Sequence, residues 1–84
     1  MAMRISDIHT GMRNVCVEGK VINMNNFMLV VDDESGRIFV RYSHRNLENQ
    51  IEKGNKVKIF NCQAVSYSGI LQLKMGHKGH IAPI

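Results

Sequence analysis

Few residues in this chain have the types and spacings that bond-making chemistry requires. His77-x-x-His80 offers two metal ligands, but each follows a glycine and no cysteine is near. Zinc takes four protein ligands, or three plus water. Cys16 and Cys62 lie far apart in a chain without a secretion signal, so they read as free thiols in a reducing compartment. Asp32-Asp33-Glu34 runs into Ser35-Gly36, which puts these carboxylates at a turn, where solvated acids are the rule. No glycine-rich phosphate loop occurs, and no nucleophile has a base beside it in sequence. The expectation is a protein that binds without catalysing and holds no cofactor and no metal.

What remains is a set of flat rings and cations. Residues 1–52 carry six basic and seven acidic side chains, whereas residues 53–84 carry Lys53, Lys56, Lys58, Lys74 and Lys78 with no acid. Lysines without acidic neighbours project an uncancelled positive field, which favours a polyanionic partner. Phe39 stands between Arg37 and Arg41. Either a base stacks there between two guanidinium groups, or the ring is covered by a loop or by the arginine stems. Tyr67 has the same two readings, a stacking ring or a tyrosine packed on its own loop. Lys20, Lys56, Lys58 and Lys74 occupy solvent-facing positions from which they could reach phosphates. Asn23, Asn25 and Asn26 shape a turn, and their amides are also able to bond bases or phosphates, Asn25 being the one counted among the binding residues.

These side chains need a scaffold to hold them. The chain has 84 residues, 44% hydrophobic and 21% charged, enough for one small domain over 1–84. Its core must be thin, since so short a chain buries only about 60% of its unfolded surface. The longest apolar run, Phe27 to Val31, falls far short of the roughly 20 residues of a membrane span. The N-terminus lacks the apolar stretch of a signal peptide, so a soluble cytoplasmic protein is expected.

Residues 1–14 read as a lead-in with a turn at Gly11. Val15, Val17, Gly19 and Val21 then alternate with polar residues, predicting a half-buried strand over about 15–23 in which Gly19 permits sharp coiling. A second strand is expected over about 27–32 and a third over about 37–42. Ser43 as N-cap, Leu47 and Ile51 at helical spacing, and Gly54 beyond predict one short helix. A fourth strand follows over about 56–63, then a loop over 64–69 and a fifth strand over about 69–75. The segment 76–84, with glycines and the only proline, is expected to be loosely held. Five coiled strands with one short helix between the third and fourth describe an all-β, five-stranded Greek-key barrel, the OB-fold. One register stays open: Phe27, Leu29 and Val31 or Met28 and Val30 face inward, since both sets are apolar.

Ile5-Ser6-Asp7-Ile8, Gly11-Met12, Asn14-Val15 and Gly19-Lys20-Val21 resemble the start of single-stranded DNA-binding OB domains of the archaeal replication protein A type. The resemblance continues through Asp33-Glu34-Ser35-Gly36-Arg37-Ile38, Ile51-Glu52-Lys53-Gly54-Asn55-Lys56-Val57 and Tyr67-Ser68-Gly69-Ile70-Leu71-Gln72-Leu73. It implies a nucleic acid lying across strands two and three, clasped by the loops joining strands one to two and four to five. Tyr67 matches a stacking aromatic of that family. Where the family has a tryptophan at the end of strand three, this chain has Tyr42 and Ser43, and it has no Trp at all. Gln63 and Lys74 stand where relatives carry further aromatics, and Lys74 is suited to phosphate. The implied partner is single-stranded DNA, or RNA, with little sequence specificity. Other OB-domain subunits or replication and repair proteins at the nucleoid are the further implied partners. A role in protein–protein assembly is the alternative.

Overall fold

A computed structural model describes residues 2–84. The period-two alternation becomes five strands: β1 (Val15–Met24), β2 (Met28–Asp32), β3 (Arg37–Arg41), β4 (Lys56–Tyr67) and β5 (Ile70–Pro83). They close in the order β1-β2-β3-β5-β4, and only β3 and β5 run parallel. Closure gives every strand a partner on each side and so shortens the edges open to another chain. Val17, Val21, Val31, Val40, Val57, Ile59, Leu73 and Ile81 point into the barrel and are fully buried. Each such aliphatic side chain contributes about 1.5–3 kcal/mol on leaving water. This is the all-β OB barrel that the element order predicts.

Leu29 and Val31 face inward and are buried, so Met28 and Val30 face outward. Phe27 is not part of β2; it sits in the preceding turn, 59% exposed. At Gly19 a Cβ would lie 2.7 Å from the Asp32 carbonyl oxygen. The glycine thus admits the close approach of β2 that coiling of β1 demands.

The expected helix after β3 is only a 3-10 turn, η2 (His44–Asn46), with Ser43 at its N-cap position. Asn46 is buried, and its amide nitrogen donates to the Gly79 carbonyl at 3.0 Å. One residue on, Leu47 bridges to Ile81, and the Glu48 N–H donates to the Ile81 carbonyl at 3.0 Å. Pairing with β5 takes the backbone groups that a longer helix would use, and tertiary pairing outweighs helix propensity.

The segment expected to be loosely held is strand up to Pro83. β4 and β5 form one long hairpin from Tyr67↔Ile70 to Val57↔Pro83. A bulge interrupts it between Phe60 and Cys62, where Asn61 has φ 59° and a Cβ on Gly76 would overlap the Asn61 carbonyl oxygen. Beyond the bulge the Phe60 and His80 rings stack at 4.4 Å, and His80 Nε2 lies 2.9 Å from a Glu48 carboxylate oxygen. The expected loop over 64–69 is also mostly strand, and the turn shrinks to Ser68-Gly69. Both have positive φ, as hairpin turns of the primed type require.

Asp33 is more than a solvated turn residue. One of its carboxylate oxygens accepts the Ile5 N–H at 2.8 Å, tying the lead-in turn η1 (Ile5–Asp7) to the β2–β3 turn. The other accepts the Ser35 hydroxyl at 2.6 Å and the N–H groups of Ser35 and Gly36 at 2.9 and 3.2 Å. Burial alone would raise its pKa, but these donors together hold it below the usual carboxylate value. Ile5 and Ile8 join the core.

Candidate nucleic-acid interface

The outer face of β2, β3 and β5 is built in rows by the strand register. One row runs Met28–Arg41–Lys74, the next Val30–Phe39–Gln72, and Asp32 faces Arg37 in the third. Phe39 stands in the middle of this face, 39% exposed. Tyr67, at the end of β4, is 55% exposed, and the Arg41 guanidinium lies over its ring, 4.8 Å from the centroid. Arg41, Arg45, Tyr67 and Lys74 line a cavity of about 260 Å³. On the other side of Phe39, a cavity of about 580 Å³ has Val30, Ile70 and Leu71 in its walls and Asn23 and Arg37 at its polar edge. Rings and cations therefore alternate across one surface, the arrangement that suits stacking with phosphate contacts.

Not every expected residue joins this surface. Tyr42 belongs to the core, 7% exposed. Its hydroxyl donates to the Asn25 carbonyl, and burial raises its phenol pKa. Its ring is thus not free to stack; it anchors the β1–β2 turn instead. Asn25 shapes that turn, its side-chain oxygen accepting the N–H groups of Phe27 and Met28 at 3.0 and 2.9 Å. Arg37, expected to flank Phe39 together with Arg41, is held by an ion pair instead. Its Nε donates to an Asp32 carboxylate oxygen at 2.8 Å, though its side chain remains 70% exposed. The Glu34 N–H and then Arg37 hold the Asp32 carboxyl below its usual pKa.

Lys20, Lys56 and Lys58 stand apart. Lys20 faces Lys56 and Glu18 faces Lys58 on the wall formed by β1 and β4. Asp32 is the other cross-strand neighbour of Lys20 and separates it from Arg37. The barrel thus carries two cationic walls rather than one trough. Sequence reading missed Arg45, which the expected helix would have placed on a solvated face, and the exposed Ile70, 50% accessible. No local signal marks either, because Arg45 reaches the face from the η2 turn and Ile70 from the start of β5, each beside residues distant in sequence.

No protein-family model matches the chain, and no curated protein sequence matches it. Solved structures do. The replication factor A related protein from Methanobacterium thermoautotrophicum superposes with TM-score 0.80 at 14% identity, over 100% of this chain and 91% of that one. The OB domain of Ta0387 from Thermoplasma acidophilum gives TM-score 0.76 at 19% identity, over 99% of this chain and 86% of that one. The p202 HIN1 domain in complex with 12-mer dsDNA gives TM-score 0.75 at 19% identity, over 100% of this chain and 45% of that one. This chain spans 44% to 49% of several of its longer neighbours. By strand order, register and these likenesses alike, the fold is the OB barrel.

Proposed function

We propose that this domain binds single-stranded nucleic acid, DNA in preference to RNA, across the outer face of β2, β3 and β5. It acts as a low-specificity binding module, not an enzyme, in replication or repair at the nucleoid. The observation that carries this reading is that Phe39 and Tyr67 stay exposed on the outer face, with Arg41 over the Tyr67 ring and Lys74 beside Arg41. Stacking on each ring contributes about 1–3 kcal/mol whatever the base, because every base has a π-face. Three to five neutralised phosphates, on the order of what Arg41, Arg45, Lys74 and Arg37 can reach, give a log–log salt slope of about −2 to −3.5. So few contacts bind weakly, roughly in the micromolar range, and a second OB domain would add avidity. An archaeal replication-factor relative and a DNA-complexed HIN domain among the structural neighbours support the reading.

The test is fluorescence anisotropy of a labelled oligo-thymidine at two salt concentrations, beside RNA and duplex DNA of equal length. Tighter binding of the single DNA strand with the stated salt slope is expected. A second reading, protein–protein assembly, is favoured by the outward Met28 and Val30 and by exposed Phe27 and Ile70. No binding at low salt, together with a stable dimer by sedimentation, would decide for assembly.

A further inference from the structure

Gln72 is the residue of the interface whose packing leaves a side-chain polar atom buried and unpaired. Its register puts it on the outer face of β5, with Phe39 of β3 on one side and Val65 of β4 on the other. It is nonetheless only 9% exposed. Among the described residues its side-chain oxygen is the sole buried side-chain polar atom with no hydrogen-bond partner. A buried acceptor left unpaired forfeits its hydration and gains nothing in return. Valines hold the equivalent places in the same row, Val30 and Val65, so an apolar residue would fill this one without that cost.

The surroundings indicate what would satisfy it. The Arg41–Tyr67 contact joins β3 to β4, and β5 lies between those strands. On β5 Gln72 lies between Lys74, which lines one cavity of the face with Tyr67, and Ile70, which lines the other with Phe39, and it lines neither itself. An amide oxygen needs an N–H or O–H donor. A phosphodiester has none and neither does the deoxyribose of an internal nucleotide, so on a DNA strand the donor must come from a base. A base stacked on Phe39, the cross-strand neighbour of Gln72, would turn an edge toward β5. Half a turn of the amide exchanges acceptor for donor, and a base edge offers both.

We infer that Gln72 hydrogen-bonds the Watson–Crick edge of an unpaired base stacked on this face, and so selects single strands over duplex. The inference rests on the nucleic-acid reading of the face. In a duplex that edge is consumed by its complement. Every base carries at least one donor there, so Gln72 selects unpaired bases without selecting among them. Discrimination of strandedness without sequence specificity follows from one side chain.

The experiment compares an oligo-thymidine of about a dozen nucleotides with the same oligomer built from N3-methylthymidine, which lacks the imino donor. Binding of both is measured for the parent and for Gln72→Met, which keeps side-chain length and removes the amide. The parent should prefer the unmodified strand by about 5- to 30-fold, the range of one good buried hydrogen bond. Gln72→Met should bind the two oligomers equally and should melt at a higher temperature, having lost the orphan acceptor. Equal binding of both by the parent overturns the inference and leaves the nucleic-acid reading standing. So does an undiminished preference in Gln72→Met, since the methyl group would then act by bulk. Absence of any oligonucleotide binding to the parent at low salt overturns both.

Discussion

Tyr67 and Tyr42 show how differently the barrel treats two rings of the same kind. Tyr67 projects from the end of β4 with a guanidinium on one side of its ring, whereas Tyr42 is sealed beneath the β1–β2 turn. Phe39→Ala and Tyr67→Ala should therefore each weaken oligo-thymidine binding by about 1–3 kcal/mol while leaving the urea midpoint near that of the parent. Tyr42→Phe should act the other way, lowering stability by about 1 kcal/mol with binding reduced only as far as the turn is loosened. Titration by fluorescence anisotropy and urea denaturation separate the two patterns. The thiols divide similarly. Burial, with Cys16 adding to it, pushes the Cys62 thiol up to about 12, so almost no thiolate exists at neutral pH. A thiol reagent should modify half-buried Cys16 in the folded protein and reach Cys62 only on unfolding; rapid reaction of both would contradict the packing. Which rings and thiols the chain possesses is legible from its residues. Their exposure is not, because a strand-end position looks the same in sequence whether the next turn covers it or not.

Among the elements, the least expected contributions come from the β2–β3 turn and the C-terminal half of β5. Asp33 staples the lead-in to that turn through four donors. A carboxyl whose folded pKa is lowered from 3.8 contributes stability above that value and loses it as pH falls through the folded pKa. Stability should thus decline below about pH 4, and Asp33→Asn should flatten that acid limb while weakening the protein at neutral pH. Urea midpoints at about pH 6 and about pH 3 for both proteins provide the check. Ile81 is fully buried and pairs with Ile59 across the β4–β5 hairpin. Ile81→Ala should cost about 2–5 kcal/mol, and the amide of Ile81 should be among the slowly exchanging ones. Unfolding at the parent's midpoint would mean that the terminal strand is not docked. β1, β3 and the first half of β4 are readable in the sequence because alternation is a local pattern, and β2 because its apolar run is bounded by turn residues. The end of β5 is not, since Gly76 and Gly79 break the alternation and the strand is held by partners on β4. The expected helix fails for a related reason: Leu47 and Ile51 do carry the apolar stripe, yet bonds to β5 compete for its backbone.

For the molecule as a whole, the distribution of charge over the closed surface matters more than the net +4. Lys74 stands beside Arg41 on the β2-β3-β5 face, while Lys56 faces Lys20 on the wall of β1 and β4. Lys74→Glu should therefore reduce the slope of log affinity against log salt by about 0.7, one phosphate on a single strand. Lys56→Glu should leave the slope unchanged, and equal effects of the two would mean that the strand wraps both walls. The uncancelled lysine excess in the C-terminal third is a property of composition, plain from the order of the residues. Its division between two walls is a property of the closed barrel.

Alternating valines, a glycine within the first strand and turn-forming residues between apolar runs act over a few neighbours, so the chain alone announces five strands and a barrel to close them. Which ring faces solvent, which lysines share a wall and which amide is left without a partner depend on contacts between residues far apart in the chain. Register and closure set those contacts, and the free energy that chooses among them exists only when all five strands are together.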